Sequence, residues 1–158
     1  MKQNEGDMNQ IEGLIAGLKE QPGALLPILH AVQDLMGYVP KEAVPIIAEG
    51  LNLSRAEVHG VLSFYHYFRQ SPPGRKVIHL CRAESCKSMG ADQLEAHAKS
   101  VLGADYHENS PDGAFTLEPV YCLGNCAASP AIMIDQDVFG RVTPERFDEI
   151  LLEEGAKS

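Results

Sequence analysis

Four cysteines constrain this chain more than any other feature, because they fall in two tight pairs. Cys81 and Cys86 make a C-x4-C pair, and Cys122 and Cys126 make a C-x3-C pair, with 35 residues between. Each pair directly follows a short apolar, strand-like run: Val77 to Leu80 leads into Cys81, and Phe115 to Tyr121 leads into Cys122. In an α/β layer, loops at the carboxyl ends of parallel strands emerge at one edge of the sheet. If these two strands run the same way and lie close together, the four sulfurs converge.

Spacing alone leaves the centre open. Four-cysteine zinc sites use pairs two to four residues apart, so zinc is permitted, although neither pair has the C-x2-C form of a zinc ribbon. Thiol–disulfide exchange of the thioredoxin type needs C-x-x-C, which is absent. A Rieske centre needs two histidines, and no histidine lies within either cysteine loop. An all-thiolate 2Fe-2S cluster fits the count, with two sulfurs per iron. Zinc and iron–sulfur therefore stand level on spacing. The six histidines, His59, His66 and His79 among them, are scattered and read as packed or surface residues.

Charge and leader pattern limit the setting. The net charge is −9, and the first 73 residues carry 5 basic and 8 acidic groups against 8 and 14 in the rest. Neither half is basic, which argues against binding nucleic acid or an anionic membrane. The opening residues are polar and no apolar run approaches a membrane span, so a cytoplasmic location is expected. There, clustered cysteines more often hold metal than form disulfides.

The hydrophobic period changes along the chain. Ile11, Leu14, Ile15 and Leu18 recur at helical spacing. A second helix is predicted from Ala24 to Met36, with Leu25, Leu29, Val32 and Met36 on one face and Gly37 as its stop. A third is expected over Lys41 to Gly50. Ser54 and Glu57 match a capping box that opens a fourth helix through Val58, Val61, Leu62 and Tyr65. Half of the aromatic run Phe64 to Phe68 is expected in the helical core. Ser71-Pro72-Pro73-Gly74 marks a boundary, giving a helical region at 1–73 and a second domain at 74–158.

The second domain reads as strand, helix, strand, strand, strand, helix. The first helix spans Gly90 to Leu102, with Leu94, Ala98, Val101 and Leu102 inward and Gly103 as its stop. Ala131 to Ile134 and Val138 to Val142 are strands around a turn at Asp135 to Asp137. Thr143-Pro144 starts the last helix, which buries Phe147, Ile150 and Leu151. The fold class is α/β (α+β). No G-x-G-x-x-G loop, P-loop or G-x-S-x-G turn is present, and the chain has no catalytic site of its own.

The residues around the cysteines carry a resemblance. Cys122-Leu123-Gly124-Asn125-Cys126-Ala127-Ala128-Ser129-Pro130, followed by Ala131-Ile132-Met133-Ile134, resembles the second cluster loop of the thioredoxin-like 2Fe-2S ferredoxin family. That family includes the 24 kDa (E) subunit of the respiratory NADH dehydrogenase. His30 to Gln33, Gly37 to Pro40, and Val58 to Tyr65 resemble the family's helical N-terminal region, so the likeness runs from about residue 11 to 152. The loop Cys81-Arg82-Ala83-Glu84-Ser85-Cys86-Lys87-Ser88-Met89-Gly90 looks more like the γ subunit of soluble, NAD-dependent, molybdenum-containing formate dehydrogenases. Hydrogenase diaphorase modules use a close relative.

The resemblance implies four helices followed by a thioredoxin-like domain, and one 2Fe-2S cluster on Cys81, Cys86, Cys122 and Cys126. It implies docking on an NADH-binding flavoprotein subunit that holds FMN, with a molybdenum cofactor on a larger catalytic subunit of the same complex. A cis proline is expected at Pro130. Arg82 and Lys87 each adjoin a ligand, and positive charge there would raise the potential.

Overall fold

The computed structural model describes residues 2–155. The chain divides into two compact units, Met1–Pro72 and Pro73–Ser158.

The first unit holds four helices: α1 (Lys2–Leu18), α2 (Leu25–Met36), α3 (Ala43–Gly50) and α4 (Arg55–Phe64). Their core is Ile11, Ile15, Ile28, Leu29, Val32, Ile47, Val58 and Leu62. Gly37 ends α2 at φ 80°, and its N–H bonds to the Gln33 carbonyl. Pro27 and Pro45 lie in the first turns of α2 and α3, where a missing N–H costs nothing. The capping box forms: Glu57 N–H donates to Ser54 Oγ at 3.2 Å, and Ser54 N–H to the Glu57 carboxylate at 2.8 Å. At Gly50 a Cβ would lie 2.5 Å from Ile15 Cγ2, so α1 and α3 meet there without room for a side chain.

Two expectations for this unit need correcting. The α2 face is rotated, with Ile28 and Gln33 buried and Leu25 and Met36 only partly so. Gln33 is inside because its amide is used twice: Nε2 donates to the Tyr67 carbonyl at 2.9 Å, and Oε1 accepts from Arg69 N–H at 2.7 Å. The aromatic run does not put half of itself in the core. Helix α4 stops at Phe64 and Tyr65 is extended, so helical spacing no longer applies; Phe68 alone of the run is buried.

The second unit is a five-stranded sheet of order β2-β3-β1-β4-β5. Its strands are β1 (Lys76–Cys81), β2 (Glu108–Asn109), β3 (Phe115–Val120), β4 (Ile132–Ile134) and β5 (Asp137–Phe139). Strands β1 and β3 are parallel, and the remaining pairs are antiparallel. Helices α5 (Glu84–Ser88) and α6 (Ala91–Leu102) follow β1, and α7 (Pro144–Gly155) closes the chain. Leu94 and Ala98 of α6, with Phe147 and Ile150 of α7, pack on Ile78, Leu80, Leu117, Ile132 and Ile134. Thr143 caps α7, accepting the Arg146 N–H at 3.2 Å.

The unit departs from expectation in five places. In α7, Leu151 is only partly buried and Glu154 is inside. Strand β2 has two exposed polar residues and no apolar alternation to reveal it. Helix α5 lies inside the first cysteine loop. Val101 faces solvent at the end of α6. Strand β5 ends at Phe139 and not at Val142, because Gly140 and Arg141 leave the ladder and bond elsewhere: Arg141 N–H donates to the Ala128 carbonyl at 2.6 Å, and Val142 N–H to the Pro130 carbonyl at 3.0 Å. No helix among the described residues is long and apolar enough to cross a membrane.

Candidate metal centre

Cys81 stands opposite Val120 in the parallel β1–β3 ladder, two residues before Cys122. Both cysteine loops therefore leave the same sheet edge from neighbouring strands. The Arg82 N–H donates to the Val120 carbonyl at 2.8 Å, extending the pairing one residue beyond Cys81. Cys81 N–H donates to the Ala131 carbonyl at 3.1 Å, so the strand following the second loop flanks Cys81 on its other side.

Each cysteine is held differently. Cys81 ends β1 and is 2% exposed; Cys86 sits in α5 and is also 2% exposed. The two pack with Ala91, Ala131, Val120 and Leu123 in a small core of their own. Cys122 has φ 131°, a backbone conformation that costs a side-chain-bearing residue energy. Cys126 opens a 3-10 turn, Cys126–Ala128. Both second-loop cysteines are exposed, with their sulfurs 3.8 Å apart. Gly124, at φ 74°, brings its N–H to 3.3 Å from Cys122 Sγ. The Ser129–Pro130 peptide is cis, as expected.

The thiols of Cys81 and Cys126 are shifted by their surroundings. Burial pushes the Cys81 thiol up and Cys86 beside it adds to the rise, while backbone N–H groups of Ala83 and Leu123 pull the other way. Cys126 is pushed up by its hydrogen bond with Cys122 and by that sulfur's charge, with a smaller effect from Cys86. These shifts favour the neutral thiols, and a cation bound between them would draw off the protons, which is the chemistry of a metal donor set. Among the described residues, no group of three or more His, Cys, Asp or Glu side chains is gathered closely enough to hold a single ion.

Of the two charges that adjoin the first cysteine pair, Arg82 is neutralised. Its Nε lies 3.0 Å from a Glu95 carboxylate oxygen, and its guanidinium lies over the Tyr106 ring at 5.4 Å. Lys99 shares the same carboxylate at 2.8 Å. Lys87 is solvated, with Asp92 at 3.7 Å. Sequence reasoning missed Gly140 and the hydroxyls of Ser85 and Ser129. Ser129 was legible only as the residue before a cis proline, and no local pattern links Ser85 or Gly140 to the second loop.

Known proteins match most of the chain. The profile of the thioredoxin-like 2Fe-2S ferredoxin family matches residues 11–154. The NADP-reducing hydrogenase subunit HndA of Solidesulfovibrio fructosivorans is 34% identical over 144 residues, covering 91% of this chain and 84% of that protein. The E-type subunit of the Pseudomonas aeruginosa NADH-quinone oxidoreductase is 34% identical over 148 residues, 94% of this chain and 89% of that protein. Its Escherichia coli counterpart is 37% identical over 128 residues, 81% and 77% respectively. Among solved structures, the air-oxidised NAD+-reducing NiFe hydrogenase aligns with a TM-score of 0.67 at 22% identity, covering 82% of this chain. This chain spans 23% of that hydrogenase chain, and the likeness is one of fold.

Proposed function

This chain belongs to the thioredoxin-like 2Fe-2S ferredoxin family, and from that premise we propose that it is an electron-transfer subunit whose single 2Fe-2S cluster is held by Cys81, Cys86, Cys122 and Cys126. The observation that carries the ligand assignment is the parallel β1–β3 pairing, which delivers one cysteine loop from each strand to one sheet edge. Family membership takes up the choice between zinc and iron that the spacings leave open. When bound, the cluster supplies one-electron chemistry.

The chain's own residues do the rest. Cys81 and Cys86 are buried and keep water from one side of the centre. Cys122 and Cys126 are exposed, so the second pair is the side open to a redox partner. The Gly124 N–H directed at Cys122 stabilises negative charge on that sulfur.

By this reading the partner is an NADH-binding flavoprotein subunit with FMN, and the host is a cytoplasmic NAD-dependent formate dehydrogenase with molybdenum on a larger subunit. Support for that host is the likeness of the Cys81–Gly90 loop to the γ subunits of such enzymes. A second reading, a subunit of a hydrogenase or of NADH-quinone oxidoreductase, is favoured by the names of the relatives at 34% identity.

Anaerobic purification tests the first claim. A reddish-brown protein that bleaches with dithionite and gives a low-temperature spin signal is expected; a colourless zinc protein would sink it. Co-purification from the native source separates the hosts. Flavin and molybdenum together support formate dehydrogenase, whereas nickel or a quinone-reducing assembly supports the second reading.

A further inference from the structure

Ser129 lies in the second cysteine loop, just before β4, and is 7% exposed. Its hydroxyl oxygen is 3.5 Å from Cys86 Sγ, a ligand of the other loop. It is also 2.9 Å from Ser85 Oγ and 2.9 Å from the Cys126 carbonyl oxygen. Ser85 Oγ reaches that same carbonyl at 3.2 Å. Two hydroxyls, one from each loop, therefore meet beside a buried sulfur.

The proton inventory decides what this cluster does. With Cys86 as a free thiol, its S–H donates to Ser129, and Ser129 donates to the Cys126 carbonyl. A thiolate has no proton to give. Once Cys86 is a thiolate, the contact persists as a hydrogen bond only if Ser129 turns its own proton to the sulfur. The Cys126 carbonyl is not orphaned by that turn, because Ser85 already stands within reach of it. Alternatively Ser85 donates to Ser129 Oγ, and the two hydroxyls form a polarised chain ending at the sulfur.

We propose that, in the cluster-loaded protein, Ser129 donates a hydroxyl hydrogen bond to the Cys86 sulfur and thereby raises the reduction potential of the centre, with Ser85 as its outer support. This rests on Cys86 being a ligand. One-electron reduction adds one negative charge to the centre, and part of it falls on the sulfurs. A donor aimed at a sulfur therefore binds the reduced state more tightly than the oxidised one. Burial strengthens the effect, since little solvent competes for either group. The neighbouring charges compete poorly: Arg82 is paired with Glu95, and Lys87 is solvated. Ser129 acts through the ligand and is a positioning and tuning residue.

The test is a mediated redox titration of the full chain carrying its cluster, followed by the spin signal. The wild type is measured first; absence of a 2Fe-2S spectrum there sinks the ligand assignment and not the role of Ser129. Given a cluster, Ser129→Ala is expected to shift the reduction equilibrium about tenfold against the reduced form, about 59 mV downward for a one-electron couple. Ser129→Thr keeps the hydroxyl and is expected to stay near wild type. Ser85→Ala is expected to give a smaller downward shift. An unchanged potential in Ser129→Ala with an intact visible spectrum overturns the proposal. Should Ser129→Ala fail to hold a cluster, Ser85→Ala decides: a downward shift supports the hydroxyl pair, and none overturns it.

Discussion

Gly140 and Ala128 approach so closely that a Cβ on Gly140 would lie 2.7 Å from the Ala128 Cβ. The same atom would meet the Ala128 carbonyl oxygen at 2.9 Å and Asn125 Nδ2 at 2.8 Å. Residues 125–128 carry Cys126, so the segment after β5 is a strap drawn tight against the second cysteine loop. Arg141 fastens it with its N–H bond to the Ala128 carbonyl.

Gly140→Ala is therefore expected to move the Cys126 turn and cost about 1–3 kcal/mol of stability. Visible circular dichroism and iron content read the displacement at the centre. Gly74→Ala is the matched control, since a Cβ there would lie 2.8 Å from the Phe115 carbonyl carbon, at the opposite end of β3 from Cys122. It is expected to lose similar stability with an unaltered cluster spectrum. Equal spectral change in both variants would refute the strap.

Exposure separates the four cysteines in the metal-free chain. Cys86→Ala empties a buried position and is expected to lower the apo melting temperature, with a cost of about 1 kcal/mol. Cys122→Ala is exposed and relieves a φ of 131° no better than cysteine does, so apo stability should be unchanged. Both variants should lose the 2Fe-2S spectrum. An iron–sulfur spectrum retained in either one would remove that residue from the ligand set.

How far the sequence spoke can be judged at particular residues. The capping box of Ser54 and Glu57 and the stop at Gly37 are local chemistry, and the structure has both. The strands leading into Cys81 and Cys122 show as apolar runs, and the change of period separates the helical unit from the sheet, although α5 and β2 were not read. Strand β2 was invisible because Glu108 and Asn109 pair with β3 at an exposed edge, with no buried face to pattern. Gln33 was missed because its burial depends on carbonyl and amide groups 34 and 36 residues away. At the site, the two cysteine pairs and the strands that lead into them were legible from spacing and apolar runs. The contacts of Ser129 with Cys86 and of Gly140 with Ala128 come from tertiary packing and leave no local mark.

The Gln33 bonds make a prediction for the helical unit. Gln33→Ala strands the Arg69 N–H and the Tyr67 carbonyl, so a loss of about 1–3 kcal/mol is expected. Denaturant unfolding of the full chain measures it. Gln33→Glu keeps an acceptor for Arg69 but sets a buried carboxylate against the Tyr67 carbonyl, and near neutral pH should destabilise at least as much as Gln33→Ala.

Acid should expose the carboxylate that neutralises Arg82. Burial works to raise the Glu95 carboxyl, but hydrogen bonding from Lys99 and the charges of Arg82 and Lys99 outweigh it and hold the group below its ordinary 4.5. A carboxyl depressed in the folded state binds protons more readily when the chain unfolds, so stability rises with pH between its folded and unfolded values. Its contribution is complete above about 4.5 and disappears as pH falls through the folded value. Glu95→Gln should therefore flatten the acid limb of the stability profile, with a loss near neutral pH of about 1.5–3 kcal/mol, the range for hydrogen bonds to charged groups. The same substitution removes a negative charge and leaves Arg82 uncompensated one residue from Cys81. The cluster potential should then rise, opposite in sign to the effect of Ser129→Ala. A redox titration of Glu95→Gln at pH 7, in low and in high salt, reads this directly. A rise in low salt that shrinks in high salt marks a freed surface charge, whereas no rise in either would show that Arg82 contributes nothing to the potential, paired or free.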